Sequence, residues 1–326
     1  MEERVEANGR PQPRLGAIRR RDRAPHAAAA CQAARDSLGA RMTDAHAARI
    51  VIDTDRRLAE RIRALAGQRM VFFAGLPGTG KSLLAHQLAH LASTAGRRLH
   101  LLQWDVARPV FEAVPAGRRY PLVDGVTHPV IRRAAGLWAR DALIAWNTRY
   151  PEVEHLLVGE TPFVGNRFVE LARRMDDRAE ALLTGPACRF VIATPSREVR
   201  EFLEDQRQRR AAEPLHPRER EDAPPHVLRD LWRSLAAIGR STAAVGPYDP
   251  AVYAGIYERV LRHRNAEVIH LDVILPTERL SVYDFAVESS DVVPAAADAE
   301  RYVREVERRY SDLRVLDAEV AGWWQT

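Results

Sequence analysis

Lysine is almost absent from this chain. Of the 49 lysine and arginine residues among 326, Lys81 is the only lysine, so any motif that needs a second one is excluded. Cysteine is nearly as scarce. Cys31 lies in a polar, Ala-rich segment and Cys188 opens an apolar run, which excludes a disulfide framework and leads us to expect a reducing compartment, the cytoplasm. No uninterrupted apolar stretch approaches the ~18 residues of a membrane span. The chain also does not open on a short apolar core followed by a small-residue cleavage site, so neither a membrane nor a secretory route is expected.

What is present is enough for one large α/β domain, or for such a domain with a helical insertion: 46% of the residues are hydrophobic. The net charge of +5 does not call for nucleic acid, because Arg19, Arg20, Arg21 and Arg23 sit in an N-terminal stretch that reads as a solvated tail. Residues 1–41 are rich in Ala, Arg and Pro without a sustained apolar period, so disorder is expected there. They read as a tail, or as an extension ahead of Met42 as the natural start. Glu2, Glu3 and Glu6 argue against an organelle transit peptide. The folded domain is expected over residues 42–326. Nothing in the sequence fixes the oligomeric state.

Periodicity then gives alternating elements. A helix is expected between Asp55 and Gly67, a buried strand at Met70–Ala74, a helix from Lys81 to about Thr94, and a strand from Leu99 to Trp104 ending at Asp105. A Gly-, Pro- and Arg-rich loop should follow, then a long helix from about Pro129 to Trp146. Further strands are expected at 154–158, 189–193 and 268–275, the last an edge strand with one wet face. Helices should carry Phe168 to Leu182, open at Thr194-Pro195, fill 227–239 and 250–263, and close the chain through Tyr302, Val306, Tyr310 and Leu313. Residues 211–225 read as a mobile loop. Such alternation predicts an α/β three-layer sandwich on a mostly parallel five-stranded sheet, with a helical insertion after the second strand and a lid at about 195–225.

One motif is specific. Gly75-Leu76-Pro77-Gly78-Thr79-Gly80-Lys81-Ser82 fits the phosphate-loop (Walker A) pattern G-x-x-x-x-G-K-[ST], against a chance expectation of about 0.0002 per chain of this composition. Its chemistry explains its spelling. Glycines let successive N–H groups turn inward as an anion nest, and the helix that follows aims its free amides at the same point. Lys81 is a compact charge for the β- and γ-phosphates, where the wide fork of an arginine would not fit. An arginine-biased composition that keeps its only lysine here implies that the site requires it. Ser82 is the expected Mg²⁺ ligand, which makes ATP and Mg²⁺ the expected ligands.

Three further features accompany the loop. Trp104-Asp105-Val106-Ala107-Arg108 puts a carboxylate, with an arginine three residues on, after the second strand. Leu156-Leu157-Val158-Gly159-Glu160-Thr161 ends the third strand in an acid. Thr194–Arg210 carries Arg197, Arg200, Arg207, Arg209 and Arg210 on one helix. Over roughly residues 69–210 the chain thereby resembles the P-loop small-molecule kinases, in particular the zeta-toxin-like and related kinases. The resemblance implies a P-loop NTPase fold with Asp105 as the base that takes the acceptor hydroxyl's proton. It implies Glu160 at the Mg²⁺ or the acceptor, although Asp is the usual residue there. Lid arginines, with Arg207 and Arg210 the choices, would then meet the transferring phosphoryl group. Acceptor contacts are expected from Arg108 and Asp124, with Arg119, Tyr120 and Arg133 as further candidates, and Gly165-Asn166-Arg167 either adds polar contacts there or caps the helix that follows.

Two other readings compete with a kinase for a small-molecule hydroxyl. One is an ATPase coupling hydrolysis to conformation or partner binding, yet the acidic pair typical of such motors is replaced by Gly159-Glu160. The other is a nucleotide-gated binding protein without turnover. A guanine-reading Asn-Lys-x-Asp is impossible in a chain with no second lysine.

Overall fold

Five consecutive apolar residues make β1 (Met70–Ala74), which is buried along its whole length as a central strand of a parallel sheet must be. With β2 (Arg98–Gln103), β3 (His155–Thr161), β4 (Cys188–Pro195), β5 (Ala266–Leu271) and β6 (Ser289–Asp291) it forms one sheet in the order β5-β4-β1-β3-β2-β6. Every ladder is parallel. The computed structural model describes residues 50–123, 125–238, 246–284 and 288–326, which belong to one unit, Ile50–Thr326. The tail expected at 1–41 and the acceptor candidate Asp124 lie outside the described residues.

The helices follow in chain order as α1 (Arg56–Leu65), α2 (Lys81–Thr94), α3 (Trp104–Ala113), α4 (Pro129–Arg149), α5 (Arg178–Thr184), α6 (Arg197–Ala212), α7 (Pro225–Ile238), α8 (Pro250–Val260), α9 (Ala296–Arg309) and α10 (Leu313–Ala321). Met70, Phe72 and Ala74 of β1 join a large apolar core with Trp138, Leu143 and Trp146 of α4, Tyr253 and Tyr257 of α8, and Tyr302 and Val306 of α9. Phe72 stacks on Phe190 of β4 at 4.9 Å between ring centroids. The alternate residues Val71 and Phe73 belong to the opposite face, the side of α2. Among the described residues no helix is long and apolar enough to cross a membrane.

The architecture departs from the sequence expectation at several points. The sheet has six strands, not five; β6 is the exposed tripeptide Ser289-Ser290-Asp291, which carries no apolar period. Helix α3 begins at Trp104, where a strand end and a loop were expected, because Pro109 inside it reads locally as a breaker. The helix expected from Phe168 to Leu182 is replaced by a tight turn, a short 3-10 segment at Val169–Leu171 and the seven-residue α5. Phe163, Asn166 and Phe168 all take left-handed backbone there (φ 57°, 64° and 62°), and their complete burial outweighs local helical preference. β3 continues through Gly159 and Glu160 to Thr161. β4 runs through Pro195, so α6 starts only after Ser196, whose hydroxyl caps Val199 N at 3.2 Å. The segment read as a mobile loop contains a 3-10 turn at Pro217–Glu221, anchored by Glu219, which accepts from Ser281 Oγ at 2.7 Å. The closing helix is two helices, separated at Asp312, which caps Arg314 N at 2.9 Å.

Buried arginines tie α4 and the segment ahead of β5 to α5. Arg140 of α4 donates to Asp177 at 2.6 Å and Glu180 at 2.9 Å, and Arg264 reaches Glu180 at 2.8 Å. Burial alone would raise the Glu180 carboxyl, but the bonds from Arg264 and Arg140 hold it at about 2.

A second buried polar pair makes the fold sensitive to acid. His100 of β2 and His155 of β3 touch at 2.8 Å, and Tyr150 packs on both rings. Burial, then the neighbouring His155, pushes His100 down to about 4. The unfolded imidazole takes a proton near 6.5 and the folded one resists to about 4, so this stabilisation is complete above 6.5 and is lost as pH falls toward 4. Urea unfolding at pH 7 and pH 4.5 should show the native protein losing up to ~3 kcal/mol more than His100→Gln over that range. Equal losses would remove His100 as the cause.

Candidate functional site

The connection from β1 to α2 is built on glycine. Gly78 and Gly80 adopt φ of 73° and 84°, and Gly80 is the left-handed residue that opens α2 at Lys81. A Cβ on Gly75 would lie 2.2 Å from the Tyr253 hydroxyl, so the chain passes this point only without a side chain. The loop is braced from outside and within. Thr79 Oγ1 donates to Leu76 O at 2.9 Å, and Leu76 N donates to the Tyr253 hydroxyl at 3.2 Å. Arg200 Nη1 donates to the carbonyls of Pro77 and Gly78, each at 3.2 Å. Burial raises the Tyr253 phenol to about 12, so it stays protonated at neutral pH.

Lys81 is buried under this loop, and its Nζ donates to Leu76 O at 2.9 Å. Burial pushes its amine down to about 8; Glu160 and Asp105 oppose the shift while Arg207 and Arg200 reinforce it. Among the described residues the buried ammonium has no bonded counter-charge, so it gains from an incoming anion. Ser82 Oγ donates to Glu160 Oε2 at 2.7 Å, and Gln103 Nε2 donates to Glu160 Oε1 at 3.1 Å. The ladder explains this meeting: Glu160 of β3 stands between Phe73 of β1 and Gln103 of β2 in register. Because β3 extends to Thr161, Glu160 is held by the sheet and not by a loop.

Asp105 lies in the first turn of α3, two residues beyond the end of β2. Its side chain reaches water. Desolvation raises its carboxyl above the usual range, and Glu160 adds to this, while Arg108, Lys81 and Arg167 oppose it. Lys81, Glu160, Asp105 and Arg167 thus share one electrostatic neighbourhood at the C-terminal edge of the sheet, where parallel α/β proteins open their ligand crevices.

The expected arginines divide. Arg207 lies at the loop: its Nε is 3.7 Å from where a Cβ on Gly78 would stand, and its charge acts on Lys81. Arg210 is tied away from it, donating to Glu219 at 3.0 Å and to the carbonyls of Thr277 and Leu280 at 2.7 Å. The loop partner is Arg200 instead, seven residues before Arg207 and so on the same helix face two turns away. Arg108 is shared between Asp105 and an ion pair with Glu112 at 3.2 Å. Arg119 and Tyr120 both bond Glu307, and Arg133 is buried against Glu170 at 2.9 Å, so these serve the scaffold. Tyr253 carried no sequence signal; it meets the loop from 177 residues downstream.

No family model, curated protein or solved structure matches this chain.

Proposed function

We propose that this chain is an ATP-binding protein of the P-loop NTPase fold that transfers the terminal phosphoryl group of ATP to a hydroxyl of a small molecule. The observation that carries the reading is the meeting of Lys81, Ser82, Glu160 and Asp105 at one sheet edge beside a glycine loop. The donors suit the ligands. Loop amides and Lys81 offer a cradle for phosphates, and the Ser82 hydroxyl with the Glu160 carboxylate offers hard oxygen to Mg²⁺ or its waters. Bound Mg²⁺ would supply charge neutralisation on the phosphates.

In this reading Lys81 and Arg207 hold the phosphates, and Arg200 and Tyr253 keep the loop in shape. Asp105 takes the proton of the acceptor hydroxyl as the new P–O bond forms and the bond to the departing ADP oxygen breaks. The test is ADP release by the purified protein with Mg·ATP across a library of hydroxyl metabolites. Acceptor-dependent release, lost in Lys81→Ala, is expected. Equal release with no acceptor would mean hydrolysis instead, and absence of Mg·ATP binding in calorimetry would end the nucleotide reading altogether.

A further inference from the structure

Resting on that phosphotransfer reading, we propose that the acceptor is an anion, and that Arg132 and Arg167 bind its phosphate or carboxylate group beside Asp105. The turn after β3 supports this. Phe163 N donates to Arg167 O at 3.0 Å and Arg167 N returns a bond to Phe163 O at 3.2 Å, closing a turn with three left-handed residues, Phe163, Gly165 and Asn166, and left-handed Phe168 follows it. Its shape is locked from below: Phe163, Asn166 and Phe168 are fully buried, the Tyr257 hydroxyl donates to Pro162 O at 2.9 Å, and Asn166 Nδ2 donates to Glu170 at 3.0 Å. Backbone held this firmly in a costly conformation fixes where the Arg167 side chain begins.

Arg132, in the first turn of α4, comes to the same turn. Its Nη1 donates to Gly165 O at 2.6 Å, while Arg167 Nη1 donates to Val164 O at 3.0 Å. A Cβ on Gly165 would stand 3.2 Å from Arg132 Nη1 and 3.4 Å from Arg167 Nη1, so the two guanidinium groups flank one point. Each bonds a single carbonyl, and Arg132 Nε is buried with no partner. Among the described residues neither is bonded to a carboxylate. Arg133, Arg140 and Arg264 are neutralised by acids, and Arg69 and Arg97 fill both Nη atoms with carbonyls.

Two like charges are therefore pressed together with donors to spare. Burial, then Arg167, brings Arg132 down to about 10, with Asp317 opposing; burial lowers Arg167, and Asp105 is the first charge to oppose it. An oxyanion would satisfy the open donors and offset the repulsion, and bidentate geometry is what guanidinium offers phosphate or carboxylate. The chain of neighbours runs from Arg132 to Arg167 to Asp105 to Lys81. A small acceptor anchored by its anion at the arginines would thus present its hydroxyl at Asp105.

The Lys81→Ala protein separates this subsite from the phosphate loop. Calorimetric titration of that protein with inorganic phosphate and with malonate is expected to show binding that weakens at least tenfold in Arg132→Gln and Arg167→Gln and is partly restored by lysine at either position. The stronger of the two probes tells a phosphorylated acceptor from a carboxylated one. With Mg·ATP, wild-type turnover should favour sugar phosphates or hydroxy acids over neutral sugars and nucleosides, and both glutamine variants should raise KM far more than they lower kcat. Equal anion binding with and without the arginines, or a preference for neutral acceptors, would overturn the proposal. Failure of the nucleotide reading would show separately, as no Mg·ATP binding to wild type.

Discussion

Lys81→Ala is expected to lower Mg·ATP affinity by ~2–5 kcal/mol, at least about 30-fold, and to abolish turnover with every acceptor. The amine is the only lysine nitrogen in the chain and is buried under the glycine loop. Its removal should leave the fold standing, because the buried ammonium bonds only a carbonyl and its loss strands no counter-ion. A melting temperature equal to or above wild type, with nucleotide binding weakened at least about 30-fold, is the expected pair of results. Undiminished binding would remove Lys81 from the site. The amine at about 8 adds a second signature. Phosphate prefers the ammonium form, so above about pH 8 nucleotide binding must take up a proton. Affinity should then fall toward tenfold per pH unit, with proton uptake visible when titrations in two buffers are compared. Lys81→Arg should also be damaging, since a planar fork does not fit where a point charge is enclosed.

Asp105→Asn is expected to slow phosphoryl transfer by ~10²–10⁴-fold, about 3–5 kcal/mol of barrier, while ATP affinity changes little. Asparagine keeps the size of the side chain but cannot accept a proton. The position of Asp105 in the first turn of α3 makes the structural alternative explicit: there a carboxylate gains ~0.3–1 kcal/mol from the helix dipole. A purely structural Asp105 would therefore change stability slightly and rate hardly at all. Single-turnover rates and ATP affinity in the two proteins separate these roles, and a rate within threefold of wild type at saturating substrates would exclude Asp105 as the base. Its carboxyl is raised above the ordinary range, so activity should fall on the acid side at higher pH than an unperturbed aspartate would give.

The parts of the site that the sequence made legible are those written in consecutive residues. The run Met70–Ala74, the glycines at 75, 78 and 80, and Lys81-Ser82 define a strand, a turn and a helix start with no help from the rest of the chain. Glu160 was also legible, because an apolar run leads into it, although its place within β3 was not. What remained hidden depends on distant packing. Tyr253 and Arg200 brace the loop from α8 and α6, and neither stands in a pattern that names a partner. The helix expected from Phe168 does not form, because the burial of Phe163 and Phe168 in left-handed backbone overrides local preference. Sequence shows how many arginines a helix carries but not which face meets the loop, so it does not separate Arg200, which bonds the loop, from Arg210, which does not.

A solitary lysine has a practical meaning beyond chemistry at the phosphates. A lysine-specific endopeptidase finds one cleavage point in the whole molecule, and it is the first residue of α2, shut beneath the loop. Cutting there requires the loop and the first turn of the helix to come loose together, so the rate of a single scission into two fragments measures how often this one corner of the protein opens.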